Sequence, residues 1–351
     1  MKRAIWIAVP VIVLLMVSGD LWGDYLEVRR DTGIKAQPER QAQVIEKVKK
    51  GDYLPLLDEG RQKNGYYNVL PTSPGKTGWI YRSLVRRWHG EIHGPADDAA
   101  ASPLRDTTLT LSPEQERFAS RHLRLGKPQV VYERVREGYV LAQDGRLKIP
   151  LWVQYELRAE ELKGPLERTN DFQPDTSIPL GFRAELADYS GSGYVRGQMA
   201  PAEDMARSRR AMAESFLMSN IAPQVGTGFS KQIWKNLEAA VRGWVEQRGR
   251  LTVIAGPIFA IGGEGVKYSL IGDNRVAVPT HFYKIVVDDN SMGNIETLAF
   301  IIPNENLDER HYSEFLVSIK EIEAATGLDF LSALPKDVQS KIESITAKDV
   351  W

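Results

Sequence analysis

The sequence predicts an α+β domain preceded by a small all-β barrel, and three observations carry that reading. Short runs rich in Val, Ile, Leu and Tyr crowd the first quarter of the chain, cut by turn dipeptides. Beyond residue 112, strand-like runs and helical patterns follow one another without a regular βαβ alternation. One long helical pattern lies between two groups of strands. At 351 residues, 42% hydrophobic and 26% charged, the chain has the length and balance of two folded domains, and disorder is excluded as its main state. With 45 basic against 46 acidic residues, a polyanion partner has to be met by a local patch rather than by the field of the whole protein.

The chain opens "MKRAIWIAVPVIVLLMVSGDLWGDY", with Lys2 and Arg3 at the tip, an apolar run from Ala4 to Val17, and small residues at Ser18 and Gly19. This layout reads as a signal peptide over 1–23, or as an N-terminal anchor if the segment is retained. The run is shorter than the roughly 20 residues a bilayer-spanning helix needs. The expected location is therefore the periplasm or the extracellular medium, with inner-membrane anchoring if the signal stays uncleaved. There is no cysteine, so neither disulfides nor a lipid-modified cysteine enter the account.

From Tyr25 to Trp88, "YLEVRR", "AQVIEKVKKGDYLPLLDEG", "NGYYNVL" and "GKTGWIYRSLVRR" alternate like short strands, punctuated at Gly51-Asp52, Glu59-Gly60, Asn64-Gly65 and Pro74-Gly75. Glu27-Val28-Arg29 and Gly78-Trp79-Ile80 resemble the opening and closing segments of the bacterial SH3-like (SH3b) family, which places an SH3-like domain over 24–89. The resemblance implies a cell-envelope or peptide ligand. Between Asp24 and Gly90, 13 Lys and Arg stand against 8 Asp and Glu, a surplus suited to an anionic surface or to simple solvation. Residues 90–111, with few large apolar side chains, read as a linker.

The larger domain, 112–351, opens at "LSPEQERF", where Ser112 and Gln115 make a capping box and Pro113 suits the first helical turn. Two β-rich runs flank Asp144-Gly145, a hairpin signal. "SKQIWKNLEAAVRGWVEQRG" carries Ile233, Trp234, Leu237, Ala240, Val241, Trp244 and Val245 at helical spacing. "RLTVIAGPIFAI", "VAVPTHFYKIVVDD" and "ETLAFIIPN" read as strands, and helical segments around "EFLVSIKEIEAATGLDFLSAL" and "PKDVQSKIESITA" close the chain.

The blocks "KIPLWVQYEL", "ERTNDFQPD", "ADYSGSGYVRGQMAPAEDM", "ESFLMSNIAPQ", "IWKNLEAAVR", "IAGPIF", "VAVPTHFYKIV", "AFIIPN" and "IEAATGLDFLSAL" resemble, in order, the DNA/RNA non-specific endonuclease family. The resemblance runs from Lys127 to near the end and implies the endonuclease G-like ββα-metal (His-Me finger) fold. It also implies phosphodiester hydrolysis with an Mg²⁺-type ion and a nucleic-acid partner, and leaves a homodimer open. That chemistry needs a base for the attacking water, a cation on the phosphate and positive side chains for the developing charge.

Carried onto this chain, the family's Asp-Arg-Gly-His signature becomes Val195-Arg196-Gly197-Gln198. Gln198 stands at the general-base position, and an amide has no usable basicity near neutral pH. Ser230 stands where the family has its metal-binding asparagine, and Glu238, which the resemblance gives a role through the metal's waters, is retained. Arg242 is retained four residues on, on the same helix face, and Asn220 keeps its supporting position. Arg168 matches a phosphate-facing arginine. Arg207, with Arg209 and Arg210, reads either as a solvated helix face or as a track for a nucleic-acid backbone. Of the five histidines, His89 and His93 fall in or beside the linker and His122 in the opening helix. His281 reads as structural or substrate-side, and His311 as a surface residue near a helix start. The expected function is thus a nuclease-fold protein impaired in hydrolysis that keeps a nucleic-acid or envelope-binding role. The alternatives are an active Mg²⁺-dependent endonuclease with an altered site, and an envelope-binding SH3-like module with the nuclease fold as scaffold.

Overall fold

The computed structural model describes residues 25–50, 53–55, 62–69, 78–88, 111–128, 133–145, 147–178, 182–259, 268–291 and 294–351. The expected signal or anchor and nearly all of the linker lie outside these residues. Among the described residues, no helix is long and apolar enough to cross a membrane.

The N-terminal residues form two small antiparallel sheets. One orders β4 (Tyr53–Pro55), β1 (Tyr25–Val28) and β8 (Val85–Trp88). The other orders β3 (Val44–Val48), β2 (Thr32–Lys35), β7 (Gly78–Tyr81), β6 (Tyr66–Val69) and β5 (Gln62–Lys63). Leu26, Val28, Ile34, Val48, Leu54, Val69, Ile80 and Val85 share one buried cluster. Asn64 and Gly65 both have positive φ, 53° and 77°, which is the backbone that the Asn-Gly signal predicts for a two-residue hairpin turn.

The larger unit is built on a seven-stranded antiparallel sheet. Its order is β19 (Leu316–Val317), β18 (Asn294–Pro303), β17 (His281–Ser291), β14 (Arg250–Ile258), β11 (Ile149–Arg158), β10 (Val140–Asp144) and β9 (Glu133–Val135). Successive side chains face opposite sides of a strand, so each strand feeds two cores. Leu141, Val153, Tyr155, Val253, Ala255, Phe282, Val286 and Phe300 face the long helix α3 (Lys235–Arg248) and its Trp234, Leu237 and Val241. Val140, Ala142, Trp152, Ile254, Tyr283 and Ile285 face the other way. There they meet residues of α1 (Pro113–His122), α4 (Ile319–Thr326) and α5 (Lys336–Glu343).

The capping box on α1 is present, with Gln115 N–H donating to Ser112 Oγ at 3.2 Å and Ser112 N–H to Gln115 Oε1 at 3.0 Å. Two expectations change. The connection after Asp144 is longer than a two-residue turn, and its positive φ falls on Lys148 at 59° rather than on Asp144-Gly145. Leu316 and Val317, expected in a helix, pair with β18 instead. A second capping box, Ser318 with Glu321, starts α4 only at Ile319.

His122 is fully buried at the end of α1. Its Nε2 lies 2.9 Å from Glu137 O, while Glu156 N–H donates to its Nδ1 at 3.1 Å. Both nitrogens are used by a neutral ring protonated on Nε2. Burial pushes its pKa down to about 4. A depressed histidine pKa means the unfolded chain takes up a proton that the folded one refuses, so stability is lost as pH falls from about 6.5 towards 4. Urea unfolding is expected to show an acid loss between pH 7 and pH 5 that shrinks by about 2 kcal/mol in His122→Asn, although that variant is less stable at both values.

Candidate active site

A two-stranded hairpin and the long helix carry the site. β12 (Val195–Gln198) pairs antiparallel with β13 (Ile221–Gln224), Gln198 opposite Ile221. The chain then enters a wide helical turn, Gly226–Trp234, which is non-helical at Thr227 and Gly228, before α3 begins. A Cβ at Gly197 would lie 2.0 Å from Gln224 Cδ, so a larger residue there would have to displace the buried Gln224 side chain.

Gln198 is 6% exposed and both ends of its amide are occupied. Its Oε1 accepts from Arg168 Nη1 at 3.0 Å and from Ala202 N–H at 3.3 Å. Its Nε2 donates to Ser215 O at 2.9 Å and to Ser215 Oγ at 3.3 Å. Asn220, fully buried, clamps the turn that follows. Its Nδ2 donates to Ala200 O at 2.9 Å and Ser215 O at 2.8 Å, and Ala200 N–H donates to its Oδ1 at 2.9 Å. The two amides converge on Ser215, the last residue of α2 (Arg209–Ser215), and lock hairpin, turn and helix together.

Behind this turn lies a buried set of charges. Arg242 Nη1 donates to Asp204 Oδ1 at 3.0 Å, and Tyr155 Oη donates to Asp204 Oδ2 at 2.8 Å. Glu238 Oε1 is 3.9 Å from Lys284 Nζ, and that ammonium sits 4.4 Å from the Trp234 ring centroid. Burial pushes Glu238 up to about 7 against the pull of Lys284, raises Asp204, and lowers Lys284. Two cations thus neutralise two carboxylates.

The sequence-predicted residues fall into three groups. Gln198, Asn220 and Arg168 share one hydrogen-bonded network, while Glu238 and Arg242 share the charge cluster. Arg168 also bonds Asn170 Oδ1 at 2.7 Å and Glu203 at 3.2 Å. Ser230 is half-buried at the start of the helix, two turns before Glu238. Arg196 is exposed on β12, its guanidinium 4.5 Å from the Phe172 ring centroid.

The expectation that Arg207 meets substrate is corrected. It is mostly buried, its Nε is 3.1 Å from Glu161, and its Nη2 donates to Glu137 O at 3.2 Å. Arg210 is likewise taken up by Glu114 and Glu214. His281 is half-buried against Thr280 and His311 caps a short exposed helix, so neither joins the Gln198 network.

Sequence reasoning missed Asp204, Tyr155 and Lys284. Lys284 had a signal, since a lysine inside the apolar run "HFYKIVV" has to be paired if the strand is buried. Tyr155 and Asp204 are 49 residues apart and nothing local joins them.

Asn220→Ala is expected to leave the buried N–H and C=O of Ala200 without partners, costing about 2–4 kcal/mol. Urea unfolding measures it as a lower midpoint at an unchanged slope.

Residues 119–337 match the model of the DNA/RNA non-specific endonuclease family. The chain is 41% identical over 213 residues to mitochondrial endonuclease G of Homo sapiens, covering 59% of this chain and 71% of that protein. It is 36% identical to the mitochondrial nuclease 1 of Schizosaccharomyces pombe, covering 62% and 72%. It is 38% identical to nuclease C1 of Cunninghamella echinulata var. echinulata, covering 57% and 82%. A crystal structure of an EndoG/EndoGI complex superposes with a TM-score of 0.60 at 33% identity, covering 65% of this chain and 95% of that one. These relatives overturn the expectation of periplasmic or extracellular export, because the human, S. pombe and Saccharomyces cerevisiae proteins are mitochondrial nucleases. With a family model spanning more than half its length, the chain belongs to the DNA/RNA non-specific endonuclease family.

Proposed function

We propose that this protein binds nucleic acid through a nuclease site whose hydrolytic step is strongly impaired. One observation carries the reading: Gln198, at the family's base position, is buried with both its oxygen and its nitrogen hydrogen-bonded to protein. An amide so committed neither takes a proton from water nor has a free atom to orient one. General-base assistance is worth about 10²–10⁴ in rate.

The family is metal-dependent, and the residues here fit an Mg²⁺-type ion held mainly through its own waters. Glu238 would order those waters, and Ser230 offers a neutral hydroxyl that makes no side-chain hydrogen bond among the described residues. When bound, such an ion supplies positive charge at the phosphate. Arg196 adds positive charge with no ion pair among the described residues, whereas Arg168 is paired with Glu203 and Arg242 with Asp204.

A second reading, an active endonuclease with an altered site, is favoured by one feature. Glu238, Arg242, Asp204 and Lys284 form a complete buried cluster, with Glu238 lifted towards neutrality. A plasmid-cleavage assay with Mg²⁺ and Mn²⁺ decides between the two. The protein itself is expected to cut about 10²-fold or more slowly than the double variant Gln198→His with Ser230→Asn. Cleavage by the unaltered protein at the double variant's rate, abolished by Glu238→Ala, would replace the first reading with the second.

A further inference from the structure

Beside the Gln198 network, a cavity of about 390 Å³ is lined by Arg168, Phe172, Leu186, Tyr189, Tyr194, Val195 and Arg196, among others. Three features of it are unexplained by phosphate binding alone. Five of its eight lining residues are aromatic or aliphatic, whereas a phosphate asks only for cations and N–H donors. Tyr189 is 6% exposed and brings its ring to the lining, while its hydroxyl is buried with no hydrogen-bond partner among the described residues. Arg196 forms no ion pair among the described residues, and its guanidinium lies 4.5 Å from the Phe172 ring centroid, at the edge of the cavity.

The acidic groups nearby are occupied elsewhere. Asp188 accepts from Asn274 N and Nδ2 and from Glu185 N–H, and Glu203 pairs with Arg168, which leaves Arg196 as the rim cation without an ion pair among the described residues. Val195 contributes an apolar wall directly before Arg196 in sequence. The cavity therefore joins a ring-lined slot to the Arg196 guanidinium at its rim, with Arg168 beside it paired to Glu203.

We propose that this cavity is a nucleobase pocket. It takes the unstacked base of a nucleotide next to a phosphate held by Arg196, with the base face on Tyr194, Val195 and Leu186. This deepens the nucleic-acid reading of the same site and rests on it. A base can enter only by leaving its stack, so single strands are preferred over duplexes.

The test is fluorescence anisotropy on the full chain, without divalent metal, using a labelled oligothymidylate and an abasic strand of the same length. The oligothymidylate is expected to bind about tenfold or more tightly. Tyr194→Ala should bring it down to the abasic level while leaving the salt dependence of binding unchanged, because the phosphate contacts remain. Tyr189→Phe, which keeps the ring and its packing and removes only a buried hydroxyl, should leave the affinity for both strands unchanged. Equal affinity for both strands, untouched by Tyr194→Ala, would overturn the pocket and leave nucleic-acid binding intact. No binding of either strand would overturn both this proposal and the function on which it rests.

Discussion

The larger domain is organised around four charges that have to cancel inside it. Lys284 lies in the middle of a central strand and is 1% exposed, so its ammonium is tolerable only with carboxylates close by. Glu238 comes from the long helix and Asp204 from the short turn after β12, with Arg242 bridging back to Asp204. Removing any one of the four would leave an uncompensated buried charge, a far larger penalty than the net worth of the intact set. The cluster therefore fixes the helix, the sheet and the turn relative to one another. That fixes in turn where the hairpin presents Gln198 and Arg196.

The Gln198 network lies next to this cluster and follows a different logic. It is neutral, and it is built from amides that each satisfy several backbone groups at once. Gln198 and Asn220 both converge on Ser215, so the turn from Met199 to Pro201 is held from two sides. The same saturation that makes the turn rigid leaves Gln198 no free amide atom for another partner.

The surface arginines separate into working and structural groups by their partners. Arg207 and Arg210 follow the signature directly and would suit a backbone track by charge alone, but Glu161, Glu114 and Glu214 take them up. Arg196 has an aromatic platform and no carboxylate, and it borders the cavity. Charge identity is a property of the residue, whereas availability of that charge is a property of its neighbours.

Much of the architecture was legible along the chain, because caps, hairpin dipeptides and apolar periodicity act over a few residues. Ser112-Gln115, Asn64-Gly65 and the helical stripe from Ile233 to Val245 are interactions of that range. That an amide at residue 198 and a hydroxyl at residue 230 offer little to a proton or a metal was equally plain, since residue type alone limits what a group can do. Only the tertiary structure decided that Gln198 is locked at both ends, that Arg207 is spent, and that Tyr155, Asp204 and Lys284 meet Glu238 and Arg242. It also decided that an apolar slot opens beside Arg196. These depend on contacts between segments tens of residues apart, where burial sets the strength of a charge and the choice of partner, and no local pattern encodes which distant group will arrive.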